Sequence, residues 1–206
     1  MFRIFFSFFL FQLIFLTGFC QDRIQLLNGK EINCIITDTT SEYIFYKESI
    51  VKDKIIKLET ERVFSFTKEE SGIEYIVYSP DTTDPDYFTV HEMRMFLFGE
   101  NEAATHYKAP YTFIGAIAVG FVGTALPFMP VILSPIVPGV YAAIMGTQFI
   151  RINRDEIANK YYLSEEAYIY GYEKMAKIKR VQRALLGGLI GIGAGLSYKY
   201  ITKQIQ

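Results

Sequence analysis

Apolar and polar positions alternate with a period of two from Asp22 to about Tyr78. Ile24 and Leu26 are set among Arg23, Gln25 and Leu27; Asn28-Gly29 interrupts; Ile32, Cys34 and Ile36 resume the pattern. Such alternation puts one set of side chains on one face of a strand. Asn-Gly between two alternating runs signals a tight hairpin, because both central residues accept positive φ. Further short runs at 43–46, 55–58, 63–66 and 73–78 are separated by charged or Gly-containing joints such as Glu69-Glu70-Ser71-Gly72. The pattern predicts a small β domain over 21–79, a six-stranded antiparallel meander or barrel-like arrangement.

The period then changes. Residues 80–86 hold two prolines and three aspartates and read, with 87–88, as a linker. From 89 to 108, Val90, Met93, Phe96 and Leu97 recur at helical spacing, with Gly99 as a break, which predicts short amphipathic helices. Residues 109–150 follow, 42 positions without one Asp, Glu, Lys, Arg or His. About 20 apolar residues suffice to cross a bilayer as a helix, so this stretch predicts a membrane segment, crossing once or as a hairpin. Pro127, Pro130, Pro135 and Pro138 interrupt it, and Pro138 at a first helical turn opens a second piece over 139–150. Residues 151–183 are basic and Tyr-rich, 184–198 form a glycine-rich apolar helix without charge, and 199–206 are a tail. The fold class expected is α+β: the small β domain, then an all-α membrane-associated region.

Charge and address refine this picture. Arg3 followed by a nearly unbroken apolar run, with Gly18 and Cys20 before Gln21, is a signal-peptide pattern over 1–20. Phe19 separates Gly18 from Cys20, where a lipobox would place a small residue next to the cysteine. Residues 21–108 carry 10 Lys/Arg against 17 Asp/Glu, and residues 109–206 carry 10 against 5. An acidic exported domain is a poor nucleic-acid binder. The eight Lys/Arg of 151–183 favour the cytoplasmic side by the positive-inside rule. One crossing satisfies that rule, whereas a hairpin returns the basic stretch to the side of the exported domain; charge favours the first and proline spacing the second.

Chemistry is sparse. Cys34 is the only cysteine after residue 20 and reads as a buried apolar residue. His91 and His106 lack a third ligand at metal-binding spacing. Glu100 and Glu102, two apart on a helix, point to different faces. No nucleophile elbow, phosphate loop or clustered ligand set is present, so the expectation is a noncatalytic chain with no cofactor and no metal. The informative residues are small ones. Ala116, Gly120 and Thr124 recur every four positions, as do Gly187, Gly191 and Gly195, and both ladders let helix backbones approach closely. The glycine ladder serves either packing within the chain or a glycine zipper between copies. Tyr161, Tyr162, Tyr168, Tyr170 and Tyr172 suggest an interfacial aromatic belt.

The run Asp22-Arg23-Ile24-Gln25-Leu26-Leu27-Asn28-Gly29-Lys30, the later Gly72-Ile73-Glu74-Tyr75 and Gly99-Glu100-Asn101-Glu102-Ala103, and Tyr170-Gly171-Tyr172-Glu173-Lys174 resemble an uncharacterised group of Bacteroidota envelope proteins. The resemblance implies a bacterial envelope address and carries no activity or site residue. The expected function is a membrane-anchored envelope protein whose extracytoplasmic acidic β domain is an interaction module. Expected partners are membrane lipid, an envelope protein and a further copy of the chain, and no nucleic acid. The alternative is a glycine-zipper oligomer forming a passage through the bilayer.

Overall fold

The computed structural model describes residues 22–48, 54–83, 85, 87–126, 133–152, 157 and 160–205. The signal pattern at 1–20, Pro127, Pro130 and Arg154 lie outside these. The fold is α+β, with two compact units, residues 1–79 and 80–206.

The first unit is a six-stranded antiparallel sheet: β1 (Asp22–Leu26), β2 (Glu31–Thr39), β3 (Tyr43–Lys47), β4 (Ile55–Glu59), β5 (Val63–Lys68) and β6 (Ile73–Ile76). The strand order is β4-β3-β2-β1-β5-β6. Strands β1 to β4 form a meander, after which a 3-10 turn at Thr60–Arg62 sends the chain back so that β5 pairs with the free side of β1. Asn28-Gly29 makes the β1–β2 hairpin, with Gly29 at φ 75° and the Asn28 side chain accepting from the Lys30 amide at 3.1 Å. Gly72 at φ 62° serves the β5–β6 turn in the same left-handed region.

Alternation delivers one face of these strands to a common core of Ile24, Leu26, Cys34, Ile44, Tyr46, Leu58 and Val63. Asp22 fastens its margin. One carboxylate oxygen accepts from the Ile36 amide at 2.7 Å and the other from the Glu69 amide at 3.0 Å, tying β2 and the β5–β6 turn to β1. Cys34 lies opposite Asp22 across the ladder and is fully buried. Burial, then the Asp22 charge, pushes its thiol up to about 12.

The second unit is helical: α1 (Val90–His106), α2 (Pro110–Ala125), α3 (Ile136–Thr147) and α4 (Glu166–Ile205). Thr89 opens α1 with a capping box, accepting from the Glu92 amide while the Glu92 carboxylate accepts from the Thr89 amide at 2.8 Å. That hydrogen bonding holds the Glu92 carboxyl below its ordinary range.

Three expectations change here. Gly99 does not break the first helical segment, and α1 runs unbroken through it, because close packing offsets the roughly 1 kcal/mol that a mid-helix glycine costs. Pro138 falls in the first turn of a helix that begins at Ile136 and ends at Thr147. The basic stretch from 166 and the glycine-rich stretch join into one helix of 40 residues, about 60 Å long. No proline interrupts it, and Lys and Arg are good helix formers.

Cys34 supplies a test of the β core. In the folded chain at neutral pH a maleimide should label Cys34 on the order of a thousandfold more slowly than an exposed thiol, with full reactivity on unfolding in urea. Rapid labelling of the folded protein, followed by mass spectrometry, would contradict the buried site.

Candidate functional site

Helix α4 is the spine of the second unit, and its partners meet it at positions without side chains. Along its N-terminal half lies α1, running parallel. A methyl group placed on Gly99 would collide with the Tyr168 carbonyl, and one on Gly171 with the Phe96 carbonyl. The helices are therefore in backbone contact. Around that contact Tyr168 and Tyr172 are fully buried, and the Tyr168 hydroxyl donates to Glu102 at 3.0 Å. These two tyrosines are core residues rather than members of an interfacial belt, because the glycines draw α1 over them. Tyr161 and Tyr170 remain exposed.

Along the C-terminal half lies α2, also parallel to α4. Its small residues meet the glycine ladder one for one. A methyl on Gly187 would stand 2.9 Å from the Ala116 Cβ, and one on Gly195 would stand 2.8 Å from the Thr124 Cβ. One on Gly191 would stand 3.0 Å from the Gly120 Cα and overlap the Ile117 carbonyl oxygen. The hydroxyl of Thr124 is satisfied within its own helix, donating to the Gly120 carbonyl at 2.9 Å. Helix α3 returns antiparallel on the neighbouring face: Ala142 packs with Ala116 and Ala184, and Gly188 abuts the Pro138 ring. All six small residues singled out in the sequence thus lie in one interface within the chain.

Above this three-helix bundle the basic residues of α4 meet helix ends. An α-helix leaves its last four carbonyls without intrahelical partners and carries partial negative charge there. Lys179 donates to the carbonyls of Ala103, at 3.3 Å, and Ala104 in the last turn of α1. Arg180 donates to the carbonyls of Met145 and Gln148 at the end of α3, at 3.5 and 3.4 Å, and to the Tyr107 hydroxyl at 3.1 Å. Lys174 pairs with Glu100 at 2.9 Å and Lys177 with Glu173 at 3.7 Å. Glu100 is almost completely buried, and its second oxygen has no hydrogen-bond partner among the described residues. Its neighbour Glu102 points elsewhere, to Tyr168.

Away from these contacts the bundle presents apolar side chains outward. Ile114 and Val122 on α2, Ile136, Val140 and Ile144 on α3, and Leu185, Leu186, Leu189, Ile190 and Leu196 on α4 are all exposed. Only 28 % of the most apolar window of α4 is buried. Aromatic residues stand at both ends, Tyr111 and Phe149 at one and Tyr198 and Tyr200 at the other. Among the described residues no group of three or more His, Cys, Asp or Glu converges as a metal site. His91 is exposed and lies 3.7 Å from Glu165.

The capping cations, the Glu100–Lys174 pair and the Gly99–Gly171 contact were not anticipated from sequence as functional positions. Gly171 between Tyr170 and Tyr172 carried a signal, since a small residue among large ones marks a close approach. Comparison with protein-family models, with curated proteins and with solved structures gives no match in any of the three.

Two contrasts test the interface. Gly191→Leu should abolish the folded bundle in detergent micelles, while Gly193→Ala, at a position open to solvent or lipid, should leave its thermal midpoint unchanged or raise stability by up to about 1 kcal/mol. Lys174→Ala strands a buried carboxylate and should cost about 1–3 kcal/mol, against less than about 0.5 for Lys177→Ala at a half-exposed pair one helical turn apart. Equal losses within either set, read by circular dichroism, would contradict the assigned contacts.

Proposed function

We propose that the protein is a membrane-anchored component of the bacterial envelope, noncatalytic, in which the helical unit is the anchor and the acidic sheet is an extracytoplasmic interaction module. The observation that carries this reading is the outward-facing apolar surface of the bundle. Soluble monomers rarely expose contiguous apolar patches beyond a few hundred Å², whereas lipid is a solvent for such a surface. Helix α4 is long and apolar enough to cross a bilayer. Arg183 and Lys199, which bound its uncharged stretch, stand about 24 Å apart along its axis at 1.5 Å per residue, and the long stems of both let their charges reach outward toward the edges of a hydrocarbon core of roughly 30 Å.

Helices α2 and α3, of 16 and 12 residues, reach only about 24 and 18 Å. They enter beside α4 and return to the side from which they came, joined by a connection that carries no charge. The sheet's sequence neighbour α1, the basic stretch and the start of α4 then share one side, and the C-terminal tail lies on the other. This arrangement follows the proline spacing and sets the basic stretch on the side of the exported domain, against the expectation drawn from charge. Four of the eight cations that argued for the cytoplasm are engaged inside the helical unit, so the positive-inside count weakens.

The export pattern at 1–20 and the resemblance to Bacteroidota envelope proteins support the address. For the sheet, the four residues of edge strand β6 are all exposed, Ile73, Tyr75 and Ile76 among them, and an apolar sheet edge suits recruitment of a partner strand. A glycine-zipper passage has less support, since the ladder is filled by Ala116, Gly120 and Thr124 of the same chain.

Single cysteines at positions 165 and 204 in a Cys34→Ser background test the anchor. With an impermeant reagent on intact cells, position 165 should label and position 204 should label only after permeabilisation. Labelling of both from the same side would refute the arrangement.

A further inference from the structure

A cleft of about 400 Å³ opens where the joint between α1 and α2 faces the end of α3 and Arg180 of α4. Tyr107, Lys108, Tyr111, Tyr141, Gln148 and Arg180 line it, and among the described residues no carboxylate does. The wall is cationic and rich in donors. Arg180 is held in place through Nε and Nη1 by Tyr107, Met145 and Gln148, and Lys108 is exposed, with no ion pair recorded among the described residues. The Tyr141 hydroxyl points to the Thr112 carbonyl at 3.4 Å, closing the floor.

Below the cleft lies the apolar surface. Tyr111 at its rim is 88 % exposed, and Ile114, one turn further along α2, is 62 % exposed. A molecule seated here meets two positive charges at its head and an uncharged, greasy helix face along its tail. We propose that this cleft binds the phosphate of an anionic phospholipid headgroup, with Arg180 and Lys108 as the charged contacts and the acyl chains lying along α2. With Nε and Nη1 spent on Tyr107, Met145 and Gln148, Arg180 offers a phosphate its Nη2 donors and its undivided positive charge, and Lys108 adds a second, mobile charge. The inference rests on the reading of the bundle as membrane-embedded.

The full-length protein, reconstituted in phosphatidylcholine vesicles with a minor share of phosphatidylglycerol, is extracted gently and its retained lipids are counted by native mass spectrometry. Phosphatidylglycerol should be enriched over its bulk share, with the enrichment falling about fivefold in Lys108→Gln and further in Arg180→Gln. Lys108 is exposed and has no hydrogen bond or ion pair among the described residues, so its variant stays informative if Arg180→Gln fails to fold. Retention in bulk proportion, or an unchanged enrichment in Lys108→Gln, overturns the proposal. Displacement of the lipid by low millimolar inorganic phosphate overturns it too, by assigning the cleft to free phosphate. Vesicle flotation, measured alongside, separates the readings: protein that floats without lipid preference sinks the headgroup site alone, and protein that fails to float sinks both.

Discussion

Everything in the helical unit depends on how near two backbones come to α4. Within a bilayer, burying apolar side chains between helices gains little, because lipid tails are as apolar as leucine, and association relies on dense packing. Packing is densest where nothing projects. Glycines at 171, 187, 191 and 195, with Gly99 and the Ala116, Gly120, Thr124 row opposite, remove the side chains at those contacts. The same glycines cost helix propensity, and α4 stays continuous through them because its neighbours restrict it. Close packing thus explains why so flexible a composition yields a continuous helix.

Close approach creates a second problem, which the basic residues address. Bringing α1 and α3 to an end against α4 leaves two sets of terminal carbonyls at one level of the molecule, where the joint and the apolar bundle meet. Carbonyls without donors are costly away from water. Lys179 and Arg180, adjacent in sequence, diverge to the two ends. A cluster that looks in sequence like an orientation signal is in part a set of caps, and its local job follows from where two helices stop.

Much of this was legible beforehand, and the reason is periodicity. Period-two alternation exposed all six strands, and Asn28-Gly29 marked its hairpin because few residues accept positive φ. The return of β5 to β1 was less accessible, since strand order depends on which edges remain free after the meander closes. In the helical half the four-residue spacing of Ala116, Gly120, Thr124 and of Gly187, Gly191, Gly195 was plain, and each ladder is visible alone. Their register against one another is a property of two segments some seventy residues apart, and composition does not encode it. Gly99 misled because a lone glycine reads as a stop unless its partner is known. Tyr168 and Tyr172 misled for a related reason: a belt and a core use the same side chain, and only the neighbour separates them.

The continuity of α4 against its divided partner has a mechanical meaning. Its first half keeps phase with α1 through Gly171, and its second half keeps phase with α2 through the ladder, while α1 and α2 are joined only by the short stretch 107–109. The long helix is therefore a ruler as well as a post. One residue inserted in α4 between Lys174 and Gly187 would rotate one set of contacts by about 100° against the other, whereas a residue added to the joint touches the long helix only through Tyr107. Length is held rigidly on one side of the molecule and loosely on the other, so the spacing between the two sets of contacts is set by α4 alone.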